Sequence, residues 1–184
     1  MSLTRGLLSK IVPACALIIG LAAPAMAQSS PKTEVSVGYN FLHLPDENIP
    51  GGWYADVAGN VTPMFGIVGQ VTGNYKTIDE GGTSIDAKLH TFMAGVRVNG
   101  RLAGGVVPFV QVLGGAARTS GSTDVVGVTV SDSTTDGALQ LGGGVKFAPG
   151  GRIGLQVGAD YLRIFTEGSG TNAYRVAAGV TFGF

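Results

Sequence analysis

The sequence predicts an all-β fold, an eight-stranded antiparallel up-and-down β-barrel that crosses a membrane. Eight segments alternate bulky apolar residues with small or polar ones, and a period of two is typical of strands with two unlike faces. The connections between these segments alternate between long and short, as in a barrel with both termini on one side of a membrane. In hydrocarbon every backbone polar group needs an internal partner, so a spanning sheet must close on itself.

The last eleven residues, YRVAAGVTFGF, show the pattern most clearly. Bulky apolar and aromatic residues occupy one alternate set, and Arg175 together with small residues occupies the other. A strand of about 9–11 residues with one apolar face and an aromatic carboxyl terminus is typical of bacterial outer-membrane barrels. Seven further strands are predicted upstream, at residues 33–42, 53–61, 64–76, 88–98, 106–117, 138–147 and 152–162.

The connections are predicted from turn-forming residues and polar composition. Short turns are expected at Thr62-Pro63, Asn99-Gly100 and Pro149-Gly150-Gly151. In the fifth strand, Pro108 favours a strand start or a bulge, with Val110 and Val112 facing outward. Long polar loops are predicted at residues 43–52, 77–87, 118–137 and 163–172, although residues 125–130 could instead extend a hairpin.

The amino terminus is typical of a secretory signal peptide, and residues 28–184 are predicted to form the barrel domain. Arg5 and Lys10 precede an apolar stretch, and Ala25-Met26-Ala27 is a small-residue cleavage site that would end the peptide at residue 27. A non-cleaved anchor is the alternative. The one cysteine of the sequence, Cys15, lies in this segment, so no disulfide is expected in the mature chain. The formal charge is zero and there is no basic run, which argues against a nucleic-acid partner.

The distribution of aromatic residues argues against a soluble barrel, which would turn its bulky apolar residues inward. In the predicted topology, aromatic residues cluster at both ends of the strands, as in the interfacial girdles of membrane barrels. The outer girdle comprises Phe41, Trp53, Tyr75, Tyr161 and Tyr174, and the inner girdle comprises Phe65, Phe147, Phe182 and Phe184.

Eight strands in phase and the closing GVTFGF together resemble the small eight-stranded outer-membrane β-barrel family, with OmpA-type and OmpX-type members. The resemblance covers residues 28–184. It implies residence in the outer membrane of a Gram-negative cell, among outer-membrane lipids and lipopolysaccharide. It also implies an assembly signal at Gly179, Phe182 and Phe184, read by the β-barrel assembly machinery.

The interior of so small a barrel is filled by side chains, and buried charges must pair. Symmetric pairing of the last hairpin places Asp160 opposite Arg175, and outside it Tyr161 opposite Tyr174. A satisfied polar plug and a narrow path for ions or water are both open interpretations of this interior. Its predicted polar residues are Asp56, Gln70, Arg97, Gln111, Gln140, Lys146, Gln156, Asp160 and Arg175.

No catalytic, metal or cofactor site is predicted. The two histidines, His43 and His90, are isolated, with no His-x-Ser arrangement, and the acidic outer loops lack a calcium-ligand spacing. Four basic residues lie where outer loops meet strands, suited either to lipopolysaccharide phosphates or to simple snorkelling: Lys76, Lys88, Arg118 and Arg163. The predicted role is structural or surface interaction through the loops, above all residues 118–137. A narrow, porin-like channel for small solutes or ions is the alternative, and a lipid A-modifying enzyme is the third hypothesis.

Overall fold

The computed structural model describes residues 31–44, 47–80, 83–100, 104–125, 128–147, 152–166 and 169–184. Nine strands and no helix occur in these ranges. The strands are β1 Thr33–Leu44, β2 Glu47–Ile49, β3 Gly51–Asn60, β4 Phe65–Glu80, β5 Thr83–Asn99, β6 Val106–Val125, β7 Val128–Phe147, β8 Ile153–Thr166 and β9 Ser169–Gly183.

Eight of these strands form a closed antiparallel barrel, as predicted. β1 pairs with β3, each strand from β3 to β8 pairs with the strand that follows it, and β9 pairs back with β1. The closing ladder runs from Glu34↔Gly183 to His43↔Tyr174. Closure leaves no free sheet edge within the barrel wall, which is the condition for a sheet to lie in hydrocarbon.

The two faces of the wall have the orientation that the alternation predicts. On β4, the side chain of Ile67 is 61% exposed while that of Val68 is fully buried. On β5, Val96 is 54% exposed and Arg97 is 0% exposed. The bulky apolar set therefore covers the outside of the barrel, and the second set fills the inside. The fifth predicted strand, which is β6 of the structure, follows the predicted phase, with Val110 and Val112 outward.

The short strand β2 was not predicted, and it replaces part of the expected loop at residues 43–52. It pairs with the end of β1 through Leu42↔Ile49, whereas β3 pairs with β1 up to Tyr39↔Trp53. Pro50 separates β2 from β3, because a residue without an N–H cannot continue the ladder. The hydroxyl of Tyr39 donates a hydrogen bond to the carbonyl of Pro50 and fixes this break.

The predicted loops at residues 77–87, 118–137 and 163–172 were wrong, because strands continue through most of each range. β4 and β5 pair out to Glu80↔Thr83. β6 and β7 pair out to Val125↔Val128, which confirms the alternative that residues 125–130 extend a hairpin. β3 pairs with β4 only as far as Tyr75, and β8 pairs with β7 only as far as Gly137. Beyond these residues, β4–β7 continue past the barrel as a four-stranded sheet. We call this extension the protruding sheet.

At the opposite end of the barrel, which carries the chain termini, the connections are short. Between β5 and β6, Gly104 and Gly105 have φ angles of 86° and 78°, a region that glycine adopts without strain. Pro108 lies near the start of β6, which confirms the strand-start interpretation. The predicted turn at Pro149-Gly150-Gly151 and the predicted signal peptide lie outside the described residues. No helix in the described ranges is long and apolar enough to cross a membrane.

Candidate functional site

Among the described residues, three ion pairs lie inside the barrel and join residues of six strands. The prediction that Asp160 faces Arg175 is confirmed by the strand register and by a direct contact. Glu34 was not among the predicted lumen residues, although it shares their phase on β1. The pairs are Lys146 Nζ–Glu34 Oε2 at 2.5 Å, Arg97 Nη2–Asp56 Oδ2 at 3.2 Å and Arg175 Nη2–Asp160 Oδ2 at 2.8 Å.

Glutamine side chains connect two of these ion pairs into one network. Gln111 accepts from Arg97 Nε at 3.0 Å and from Arg97 Nη2 at 2.8 Å, and its amide nitrogen donates to Asp160 at 3.3 Å. Gln70 Oε1 accepts from Arg175 Nη2 at 2.7 Å and from Gln140 at 3.0 Å. Each hydrogen bond matters in such a network, because a buried polar atom left without a partner is costly.

Gln156 completes the set of predicted lumen residues, all of which face the interior. Its amide nitrogen donates to Asp56 Oδ2 at 3.4 Å, and the hydroxyl of Ser36 donates to its oxygen at 3.4 Å. Ser36 in turn lies 3.0 Å from the hydroxyl of Thr181. These contacts link the central charges to the strands that close the barrel, β1 and β9.

Two inward aromatic rings fill the space around the network, and glycines on other strands make room for them. Arg97 lies over the ring of Phe109, 4.7 Å from its centroid, a favourable cation–π geometry. A Cβ added at Gly144 would lie 2.9 Å from Phe109, and one at Gly179 would lie 2.6 Å from the hydroxyl of Tyr54. The same added atoms would collide with the carbonyl oxygen of Val157 and with that of Val37, respectively, so glycine at these two positions is required by the adjacent backbone as well as by packing inside the lumen.

Nearer the hairpin tips the interior becomes apolar, which the sequence reasoning missed. The inward residue that follows Asn40 on β1 is Leu42, and Leu162 likewise follows Asp160 on β8; both are 1% exposed. These residues belong to one hydrophobic cluster with Leu89, Ala117, Ala138, Ile164, Ala173 and Ile49 of β2. We call this part of the cluster the apolar cap. The phase of each strand already assigned these residues to the interior, so the signal was present in the sequence.

On the outer surface, a hydrogen-bonded group of aromatic side chains crosses three strands. Trp53 Nε1 donates to the hydroxyl of Tyr75 at 3.2 Å, and that hydroxyl lies 3.1 Å from His90 Nε2. The rings of Tyr75 and His90 meet edge to face, with centroids 5.5 Å apart. Amphipathic rings of this kind are typical of the membrane–water interface.

The sequence of residues 14–184 matches the family described as the outer membrane protein beta-barrel domain. The chain belongs to that family. Membership agrees with the closed barrel and its apolar exterior, and it indicates an outer-membrane location. A search of curated protein sequences found no significant match.

Solved structures of small outer-membrane barrels share this fold. Neisserial surface protein A aligns with a TM-score of 0.62 and 16% identity, over 83% of this chain and 96% of that one. Ail, the attachment invasion locus protein of Yersinia pestis, aligns at 0.56 and 17% identity, over 84% of this chain and 100% of that one. The amino-terminal β-barrel domain of Pseudomonas aeruginosa OprF aligns at 0.51 and 12% identity, over 84% and 100%. At such identities the likeness shows the fold alone.

The predicted aromatic girdles of this outer-membrane barrel are found on its outer surface. Tyr161 and Tyr174 face each other as predicted, with ring centroids 5.5 Å apart, and Tyr161 donates to Asn172 at 2.7 Å. At the hairpin side, exposed aromatic residues include Phe41, Trp53, Tyr75 and Tyr174. At the end that carries the termini they include Phe65, Phe147, Phe182 and Phe184.

The three residues of the predicted assembly signal occupy different environments. The backbone of Phe184 exchanges hydrogen bonds with Thr33, at 3.2 and 2.8 Å, and so continues the ladder that closes the barrel. The side chains of Phe182 and Phe184 lie on the outside, whereas Gly179 faces inward against Tyr54. Gly179 thus has a packing role in the folded barrel, and recognition of these residues during assembly stays a prediction.

The four basic residues predicted at the outer rim do not share one face. Lys88, Arg118 and Arg163 are exposed and lie on the outward set of their strands. Lys76 lies on the opposite face of β4 from Tyr75, on the side of the inward-facing Asn74, so it does not share the lipid-facing surface with the others. Arg163 lies over the ring of Phe165, 5.9 Å from its centroid.

The two histidines lie apart from each other and from any carboxylate in the contacts of the described residues. His43 Nδ1 is 2.6 Å from Asn48 Oδ1, and His90 contacts Tyr75. Within the described ranges, no group of three or more histidine, cysteine, aspartate or glutamate residues is placed to hold a metal ion.

Proposed function

We propose that this protein is a filled, non-conducting outer-membrane barrel with a structural or surface-interaction role carried by its hairpins. The observation that supports this most directly is the state of the lumen. The side chains of Asp56 and Arg97, at the centre of the polar network, are 0% exposed to solvent. Charges that are paired and cut off from water act as a plug, because moving an ion past them would require breaking the pairs.

The apolar cap adds a second barrier between the network and the hairpin tips. Leu42 and Leu162 are almost fully buried in it, together with Ile49 from β2. Ions cross an apolar constriction only when it is wetted, and a packed cluster offers no room for a water column. The same layers argue against the alternative of a narrow channel for small solutes.

The hairpins are the part of the molecule best suited to meet a partner. β4–β7 continue beyond the barrel as the protruding sheet, whose described side chains are mostly serine, threonine, glycine and charged residues. In this proposal the protein is exported with a cleaved signal peptide, is inserted by the β-barrel assembly machinery, and points its hairpins outward. The proposal includes no enzymatic activity, and the contacts of the two histidines support it: His43 contacts Asn48 and His90 contacts Tyr75.

Conductance in planar bilayers tests the plug. The folded protein should give no unitary current steps above the bare bilayer, while a large porin in the same bilayer does. Reproducible steps from the purified protein would contradict the proposal and favour the channel hypothesis.

A shortened hairpin tests the surface role without disturbing the barrel. Thr119 and Thr134 face each other across β6 and β7, so replacing residues 120–133 by Asn-Gly should close the hairpin with a two-residue turn. The variant should fold normally but fail to restore the adhesion or envelope phenotype of a deletion strain. Full restoration by the variant would contradict a role for this hairpin.

A further inference from the structure

Two basic side chains and a histidine form a patch on the outward face of β5 and β6. In the strand register, His90 lies opposite Arg118, and Lys88 lies opposite Ser120. Directly opposed side chains on one face of an antiparallel pair have Cβ atoms about 4.5–5.5 Å apart. Lys88, His90 and Arg118 can therefore contact one small anion together.

The histidine of this patch is held in place by its neighbours on β3 and β4. The Tyr75 hydroxyl accepts from Trp53 at 3.2 Å and lies 3.1 Å from His90 Nε2. With the hydroxyl proton donated to Nε2, a neutral His90 carries its own proton on Nδ1 and can donate it to a ligand. The imidazole is thus pre-oriented, which lowers the entropic cost of binding.

The two cations of the patch lack the acidic partners that the lumen cations have. Arg118 donates one hydrogen bond, to Ser133 at 3.4 Å, and among the described residues neither Arg118 nor Lys88 has a carboxylate within ion-pair distance. The next outward residue beyond Lys88 on β5 is Asp86, whose carboxylate accepts from Thr77 at 2.6 Å. The positive charge of the patch is therefore available to an external anion.

Below the patch, toward the middle of the apolar band, two consecutive outward residues of β6, Gly114 and Ala116, are small. Ala94 lies opposite Gly114, and Ala116 follows Gly114 toward Arg118. A Cβ at Gly114 would meet nothing within 4 Å, so the surface is open here. Between Val112 and Arg118, β6 therefore presents only Gly114 and Ala116 to the outside, and the bulky Phe92 of β5 lies opposite Ala116.

We propose that Lys88, His90 and Arg118 bind the phosphate of a lipid A molecule, whose acyl chain lies over Ala94, Gly114 and Ala116. Charge-assisted hydrogen bonds to phosphate favour arginine, and small outward residues allow a chain to approach the wall. The proposal rests on the outward direction of the hairpins in the proposed function, because lipid A occupies the outer leaflet. Arg163 has no such surroundings, since it lies opposite Leu139 and Asn172 and over Phe165.

Arg163 therefore provides a matched control for Arg118. Native mass spectrometry of the folded protein in detergent micelles counts the lipid A molecules retained per chain. One molecule should be retained by the unchanged protein and by Arg163→Ala. Affinity should fall about tenfold or more for Arg118→Ala and for Lys88→Ala, as expected for loss of one charge-assisted contact. The shift of the protein band on unheated gels verifies that each variant is folded.

Three ligands separate the possible sources of the phosphate. Lipid A should be retained, lipid A stripped of both phosphates should not, and inorganic phosphate at millimolar concentration should not displace the lipid. Equal retention by Arg118→Ala, equal retention of the stripped lipid, or full displacement by inorganic phosphate would each overturn the proposal. Since this experiment uses purified protein, its failure is distinct from a failure of the plug or of the surface role.

Discussion

Replacing Asp160 by alanine should destabilise the barrel strongly. Asp160 accepts from Arg175 Nε at 3.1 Å, from Arg175 Nη2 at 2.8 Å and from Gln111 at 3.3 Å. The change removes all three bonds and leaves Arg175, whose side chain is 2% exposed, with Gln70 as its remaining acceptor. Leaving one member of a buried ion pair alone costs about 3–5 kcal/mol, so the free energy of unfolding should fall by that amount.

Urea unfolding in lipid vesicles measures this cost, with the fluorescence of the one tryptophan, Trp53, as the probe. Arg175→Met completes a double-mutant cycle with Asp160→Ala. Because the double variant buries no unpaired charge, it should lose less stability than the two single variants added together. The exposed Asp132 supplies a control, and Asp132→Ala should leave the unfolding midpoint unchanged. A loss below about 1 kcal/mol for Asp160→Ala would refute the view that this pair is buried and essential.

Three further experiments test other parts of the structure. Gly179→Val should prevent the barrel from closing, because the valine side chain would collide with the backbone of Val37 and with Tyr54. Gly69→Ala is the control and should fold normally, because an added Cβ meets nothing within 4 Å there; heat-modifiable gel mobility distinguishes the two outcomes. Tyr54→Phe should change the free energy of unfolding by less than about 1 kcal/mol, since the Tyr54 hydroxyl has no partner in the described structure, and a larger loss in urea unfolding would reveal an unrecognised hydrogen bond. On whole cells, a membrane-impermeant thiol reagent should label Thr134→Cys near the hairpin tips but not Met64→Cys at the terminal end, and the reverse pattern would contradict the proposed orientation.

The barrel wall was predictable because lipid imposes a strict rule on one face of every strand. Ile67 and Val96 had to point outward once the apolar phase was recognised, and the register of the last hairpin then placed Asp160 opposite Arg175. Glycine and alanine on the inner face could be recognised as lumen residues for the same reason.

The hairpins were not predictable by the same rule, because both faces of a strand outside the membrane meet water. In residues 118–137, serine, threonine, glycine and aspartate follow one another on both sides of a short valine-rich stretch, and this composition is typical of a loop. The pairing of β6 with β7 out to Val125↔Val128 comes instead from continuation of a ladder already registered in the wall.

The sequence predicted many of the polar residues that line the interior, but few of the contacts between them. Local spacing can match residues across one hairpin, as with Asp160 and Arg175, but Lys146 and Glu34 lie 112 positions apart. Their contact depends on barrel closure, which brings β1 and β7 to the same cross-section of the lumen. Lys88 and Arg118 were predicted near the outer ends of their strands, but their grouping with His90 was not, since His90 and Arg118 become neighbours only through the register of β5 with β6.

The protruding sheet has a consequence for how such a chain can vary. Its arms face each other residue by residue out to Glu80↔Thr83 and Val125↔Val128, while the filled lumen lies wholly below. Adding two residues to each facing arm would raise the tip by one pleat repeat and leave every lipid-facing side chain where it was. The height and sequence of the protruding sheet can therefore change without changing the stability of the barrel wall. An epitope or a binding loop can be grafted there without redesigning the barrel.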